Sequence, residues 1–270
     1  MKKRILYISI LAILFASCTE FQKISKSKNI ELKYDKAVDY YSNKKYSYAI
    51  SLFEDIAANY RNDERSELII NYLAKSHIGK KQYYSAKDYY EAYIKTFPKG
   101  KFIHEAKYMI GYCDYKNMPD VQLDQSITKK AIKEFEAFIE EYPQSKKART
   151  ASDILEELYN QLAEKELLNA TLYYNLGLYL GNNYLSAVIT AENALKLYPS
   201  NKFREDFLIL ILRAKYEQAL YSVEKSKNQR YQETIDEYYS YINEFPEGKY
   251  NKEAKKIFKK SQKVKKVENE

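Results

Sequence analysis

An all-α solenoid of about five helix hairpins is the fold class the sequence predicts, on three observations. Six Gly and five Pro in 270 residues leave little material for turns, while 45% hydrophobic and 30% charged residues supply a core and a solvated surface. That combination favours long amphipathic helices. Thirty Tyr stand against no Trp and two His, and Tyr fills space between helices while keeping one polar tip for water or a partner. Four of the five prolines fall in one recurring phrase: Phe97-Pro98-Lys99-Gly100-Lys101, Tyr142-Pro143-Gln144-Ser145-Lys146, Tyr198-Pro199-Ser200-Asn201-Lys202 and Phe245-Pro246-Glu247-Gly248-Lys249.

The chain begins with a basic stub, Met1-Lys2-Lys3-Arg4, followed by an apolar run of about eleven residues from Ile5 to Phe15 and then Ala16-Ser17-Cys18. The run is too short to span a bilayer. An ordinary secretory signal or a short stop-transfer anchor fits the same run, but small residues directly before a cysteine favour a lipoprotein signal over residues 1–17. The stretch resembles a lipobox, with Phe15 where that motif prefers Leu. By that resemblance Cys18 is the acylated first residue of the mature chain, and 18–29 is a lipidated linker that holds the protein to a membrane without spanning it.

Upstream of each proline phrase a small residue, an aromatic or small residue four later and the terminal aromatic keep fixed spacing: Ala86/Tyr90/Phe97, Ala131/Phe135/Tyr142, Ala187/Ala191/Tyr198 and Thr234/Tyr238/Phe245. A fifth copy, Ala49/Phe53/Tyr60, lacks only the proline. Each copy reads as a helix with one inner face, stopped by a proline that cannot continue the hydrogen-bond ladder. A second amphipathic segment precedes it, as in Tyr34 to Asn43, Leu68 to Gly79 and Ile103 to Tyr115, so the unit is a helix hairpin. Repeats one and two superimpose at an offset of 37 residues, Ala37 on Ala74 and Tyr46 on Tyr83, a period that marks a solenoid. The expected boundaries within 30–260 are 30–62, 67–100, 102–146, 166–202 and 205–249, then a capping helix and a charged tail over 261–270. The lysine-rich end from Lys252 reads as a solvated capping helix or a partner-specific tail.

The third repeat carries thirteen extra residues between its helices, around Pro119, Leu123, Asp124 and Gln125. Pro119 prevents a continuous helix, and Asp124 or Ser126 can cap the next one. A plain surface loop and a partner loop both fit.

Composition also excludes classes of function. Cys113 has no second thiol in the mature chain other than Cys18, so no disulfide framework is expected and Cys113 reads as a packed small residue. With only His77 and His104, metal clusters and His-based triads have almost nothing to be built from, so no catalytic residue, metal or cofactor is expected. The net charge of +8 falls by three once Lys2, Lys3 and Arg4 are removed, too mild and dispersed for nucleic acid. Binding of a protein segment is the default use of a solenoid's inner surface. The first helices offer Tyr34, Val38 and Tyr41, then Leu68, Asn71, Tyr72, Lys75 and Ile78: an apolar and aromatic groove with a basic edge, suited to an extended peptide and its terminal carboxylate. Packing on the neighbouring repeat is the alternative for each, and Tyr34, Tyr41 and Tyr72 are the expected energetic anchors.

Counting back from Pro98, small residues at Ala74 and Ala86, the aromatic Tyr90 and the closing proline resemble the tetratricopeptide (TPR) repeat, and Tyr174-Asn175-Leu176-Gly177 with Tyr184, Ala187 and Ala191 resembles it still more. The whole is thus a TPR-like solenoid. The lipobox, the linker, the five repeats, the loop and the run Ala131-Ile132 through Phe135, Phe138-Ile139 and Tyr142-Pro143 together resemble the BamD family of outer-membrane assembly lipoproteins. That resemblance implies a non-catalytic lipoprotein subunit of the β-barrel assembly (BAM) complex, lipid-anchored on the periplasmic face of the outer membrane. It further implies that the C-terminal repeats contact a BamA-like β-barrel protein and that the N-terminal repeats receive unfolded outer-membrane protein substrates. A lipid-anchored TPR scaffold organising peptidoglycan or division enzymes is the competing reading; a nutrient-binding lipoprotein and an enzyme fit less well.

Overall fold

The computed structural model describes residues 20–61 and 63–267, so the expected signal segment over 1–17 and Cys18 lie outside the described residues. All regular structure among them is helical. The helices are α1 Ile30–Ser42, α2 Tyr46–Ile56 with a 3-10 extension Ala57–Tyr60, α3 Arg65–Gly79, α4 Tyr83–Thr96, α5 Ile103–Lys116, α6 Ser126–Glu141, α7 Lys146–Leu176, α8 Asn183–Leu197, α9 Arg204–Leu220, α10 Glu224–Glu244 and α11 Asn251–Val267. They form two compact units: the first runs to Met118 and adds Ser126–Ser152, the second holds Pro119–Gln125 and everything from Asp153.

In each unit consecutive helices pack as antiparallel hairpins in a solenoid-like stack. The small residues of the repeat sit where helices approach most closely: Ala37, Ala49, Ala74 and Ala86 in the first unit and Ala187, Ala191 and Ala254 in the second are all fully buried. Around them lie Phe53, Ile56, Ile69, Leu73, Tyr90 and Cys113 in the first unit, and Phe207, Ile209, Leu212 and Tyr241 in the second. Residues 20–25, expected as linker, are helical; Ile24 is buried, and Phe21 stacks on Tyr48 at 4.4 Å. At the other end α11 runs past the expected start of the tail, and Ser261 is fully buried with its hydroxyl donating to Ile257 O at 3.0 Å. Residues 147–165, left between repeats in the sequence reading, belong to the 31-residue α7.

Helix ends follow local chemistry. The side chains of Asn29 and Asn182 accept from Leu32 N–H at 3.0 Å and Leu185 N–H at 3.2 Å, capping α1 and α8. α1 and α3 stop at Lys44 and Lys81, both at φ 58°, where the chain turns back. Before three of the prolines the backbone is nearly identical: Phe97, Tyr198 and Phe245 have φ between −126° and −128° and ψ between 65° and 69°, because proline's ring disfavours a helical predecessor.

After each proline phrase one backbone donor must be satisfied before the next helix starts, and the chain does so in two ways. In the second repeat, Phe102 N–H donates to Tyr93 Oη at 2.8 Å, and that hydroxyl donates to Glu67. In the fifth, Tyr250 N–H reaches Tyr241 Oη at 3.3 Å, and Tyr241 donates to Glu205 at 2.8 Å. Tyr93 and Tyr241 each lie five residues before their proline, where repeats three and four have Phe138 and Ala194. There the same donor is taken by the side chain two after the proline: Lys147 N–H donates to Ser145 Oγ at 3.2 Å, and Phe203 N–H to Asn201 Oδ1 at 2.8 Å. Where the tyrosine serves, that position is Gly100 or Gly248. A Cβ at Gly100 would lie 2.8 Å from Glu67 Oε1 and closer still to Tyr93 Oη, and one at Gly248 would lie 2.6 Å from Tyr241 Oη. Glycine is needed here for close approach.

Candidate peptide-binding face and loop

The face presented by the first helices of the first unit is built from tyrosines fixed by ring contacts. Tyr72 on α3 stacks on the buried Phe53 at 5.2 Å and 5°, and Tyr41 on α1 meets Tyr72 edge-on at 4.8 Å. Tyr34 stands edge-on to Phe53 at 6.3 Å and lies under the Arg65 guanidinium at 5.0 Å. Arg65 is itself held by Glu31 at 2.5 Å, and Tyr60 donates to the same carboxylate at 3.0 Å. These two bonds, Arg65 before Tyr60, hold the Glu31 carboxyl below its ordinary range. Tyr34, Tyr41 and Tyr72 are each half-buried, and burial raises the hydroxyl pKa of Tyr34 and Tyr41.

The other expected groove residues divide. Val38 packs against the N-terminal core cluster and Ile78 against the next one, while Leu68 is half-buried. Asn71 is 5% exposed with its Oδ1 enclosed among core residues, so it belongs to the interior and not to a surface. The register that places Asn71 one repeat after Tyr34 is right, but the polar side chain turns inward there. Lys75 pairs with Glu105 at 2.9 Å and lies 5.4 Å from the Phe102 ring.

Two residues that sequence reasoning missed lie near this face, Lys147 and Tyr112, both half-buried and both against the ring of the buried Tyr108. Lys147, at the start of α7, places its ammonium 4.4 Å from the centre of the Tyr108 ring, and Tyr108 stacks on Tyr112 at 6.2 Å. Burial is the largest influence on Lys147 and lowers its pKa; Glu105 opposes the shift and Lys75 adds to it. Lys147 thus holds its ammonium half-buried against an aromatic ring, in the field of a carboxylate, Glu105, that is already paired with Lys75. The missing signal was the true start of α7: with the fourth repeat begun at 166, Lys147 fell in a gap.

The inserted loop is tied down. Gln161 on α7 donates to Pro119 O at 2.6 Å and to Gln125 Oε1 at 3.0 Å, while Lys165 donates to Gln122 O at 2.6 Å. Gln125 is buried, and its amide donates back to Asp120 O at 2.9 Å and Leu123 O at 3.1 Å. Gln125 and Pro119 are thus the anchors of the loop. Leu123, 58% exposed, and Asp124 are what it presents to solvent.

Among the described residues no helix is long and apolar enough to cross a membrane. Residues 26–230 match the YfiO family, described as outer membrane lipoprotein. The outer membrane protein assembly factor BamD of Caulobacter vibrioides is 23% identical over 182 residues, which cover 67% of this chain and 60% of that relative's length. Among solved structures, the TPR2AB-domain:pHSP90-complex of yeast Sti1 is similar over 86% of this chain and 98% of its own, at 15% identity and a TM-score of 0.38, a likeness too loose to bear on function.

Proposed function

Because the chain belongs to the outer membrane lipoprotein family, which it matches over residues 26–230, we propose that it is a non-catalytic subunit of an outer-membrane β-barrel assembly machine, acylated at Cys18 and held on the periplasmic face. In this role the first unit receives an extended C-terminal segment of an unfolded β-barrel substrate. The second unit and the exposed Leu123–Asp124 tip face a BamA-like β-barrel partner. The assembly role of the similar Caulobacter vibrioides protein supports the reading. The observation that carries it is the half-buried Lys147 ammonium 4.4 Å from the Tyr108 ring, in the same unit whose first helices present the half-buried Tyr34, Tyr41 and Tyr72.

The physical fit is direct. Tyrosine faces accept aromatic side chains of a strand-like peptide at low entropic cost, and an ammonium already stripped of part of its water gains more from a carboxylate than one in bulk solvent. Fluorescence anisotropy with an aromatic-ended peptide tests the proposal. Amidating the peptide's C-terminus, or introducing Lys147→Gln, should each weaken binding by about tenfold, about 1.4 kcal/mol. The two changes together should do little more than either alone. Equal affinity for acid and amide peptides would refute the carboxylate assignment. Recovery of peptidoglycan enzymes in place of a large β-barrel protein from solubilised envelopes would refute the assembly role and favour the scaffold reading.

A further inference from the structure

The second unit carries an apolar surface that its fold does not require. Residues 167–191 contain no Asp, Glu, Lys or Arg in a chain of which 30% is charged. The α7–α8 turn lies inside that stretch, and it exposes Leu178, Tyr179 and Leu180, the last 91% accessible. Leu180 also has a φ of 54°, a backbone state that disfavours a branched apolar residue. In the first unit the turns of the first two hairpins present Lys44 and Lys81 at φ 58°. The same demand is met there by a well-solvated ammonium.

The α9–α10 turn of the second unit exposes Tyr221 and Val223, with Glu224 directly after them paired to Lys227 at 3.3 Å. The Tyr221 ring lies parallel to Tyr184 at 6.3 Å, so the two turns form one continuous patch. A cavity of this unit lies elsewhere, lined in part by Tyr174, Arg213 and Tyr250.

We propose that these paired turns rest in the headgroup and acyl boundary of a phospholipid bilayer. Protruding leucines flanked by tyrosines suit that boundary, which admits apolar tips without a matching pocket and rejects charge. Lys225, exposed two residues after Val223, is positioned to meet a lipid phosphate as the apolar tip enters. Membership of a lipoprotein family puts a bilayer within reach, and a tethered terminus lets a small apolar patch bind that would fail from free solution. The proposal does not depend on what the first unit binds.

The test uses the acylated chain in vesicles of phosphatidylethanolamine and phosphatidylglycerol. A polarity-sensitive dye is attached at Leu180→Cys or Val223→Cys, with Lys44→Cys and Lys81→Cys for comparison; the fully buried Cys113 does not compete for label. Brominated acyl chains should quench the dye at 180 and 223 about threefold or more above its quenching at 44 and 81. In the acylated chain, Leu180→Lys, which installs the residue type of the other turns, should lower the quenching of a dye at Val223→Cys about threefold, toward the level at 44 and 81. A water-exposed dye at all four sites overturns the proposal. So does a shift seen only when a protein partner is added, which would assign the patch to that protein.

Discussion

Gly100 and Tyr93 should behave as a single coupled unit. Tyr93→Phe removes the hydroxyl that donates to Glu67 and accepts from Phe102 N–H. A hydrogen bond to a charged group contributes about 1.5–3 kcal/mol, and a lost helix cap costs about 1 kcal/mol. Glu67 keeps the Lys101 N–H at 2.6 Å, so the lower end of that range is expected, about 2.5 kcal/mol in all with the cap. Gly100→Ser alone drives a Cβ into Tyr93 and Glu67, an overpacking cost of about 1–3 kcal/mol. The double substitution recreates the third repeat, where Phe138 accompanies Ser145 and the serine hydroxyl takes the donor. It should therefore cost about 1 kcal/mol, against about 4.5 kcal/mol for the two singles added, a coupling of about 3.5 kcal/mol. Urea unfolding of the four variants gives the cycle directly, and thermal midpoints should follow at about 2–4 °C per kcal/mol. A double variant as unstable as the two singles added together would refute the reasoning.

Other outcomes follow from the same geometry. Burial pushes the Cys113 thiol up to about 12, so iodoacetamide at pH 8 should leave native protein unlabelled and react once urea unfolds it; labelling at the rate of a free cysteine would contradict the core placement. Burial, then the bond to Glu54, raises the Tyr89 hydroxyl to about 12 from an ordinary 10, and burial raises Tyr90 further. Since the folded values are the higher ones, their contribution is full below about pH 10 and is lost as pH rises toward about 12. The urea midpoint should fall over that window as tyrosinate absorbance at 295 nm rises, and a flat midpoint would count against it. Gln161→Leu removes two of the bonds that tie the inserted loop to α7, so chymotrypsin should cut at Leu123 about tenfold faster with little change in global stability; unchanged cleavage would mean the loop is held by other contacts.

Much of this was legible because helices declare themselves through spacing. The prolines marked the repeat ends, since no sequence can continue a ladder through them, and the alanines marked the closest approaches. Less was legible where burial depends on what a neighbour contributes. Asn71 has the period of a groove residue yet turns into the core, and Gln125 reads as a loop contact yet serves as an anchor, because its receptor, Gln161, lies 36 residues away. Lys147 was hidden for a different reason: a helix twice the usual length shifts the frame in which repeats are counted. The alternation of Gly, Ser, Asn and Gly after the prolines was plain in the sequence, but its meaning needed the tyrosine hydroxyl five residues before.

That alternation has a consequence for how such a chain changes over time. Neither solution can be reached from the other by one tolerated step, since serine clashes with the tyrosine and glycine beside phenylalanine leaves the next helix uncapped. The two positions should therefore drift together, so that in related chains a side chain gained after the proline accompanies the loss of the hydroxyl before it. Each repeat then carries its own closing device, and a hairpin moved to another place in the array would bring that device with it.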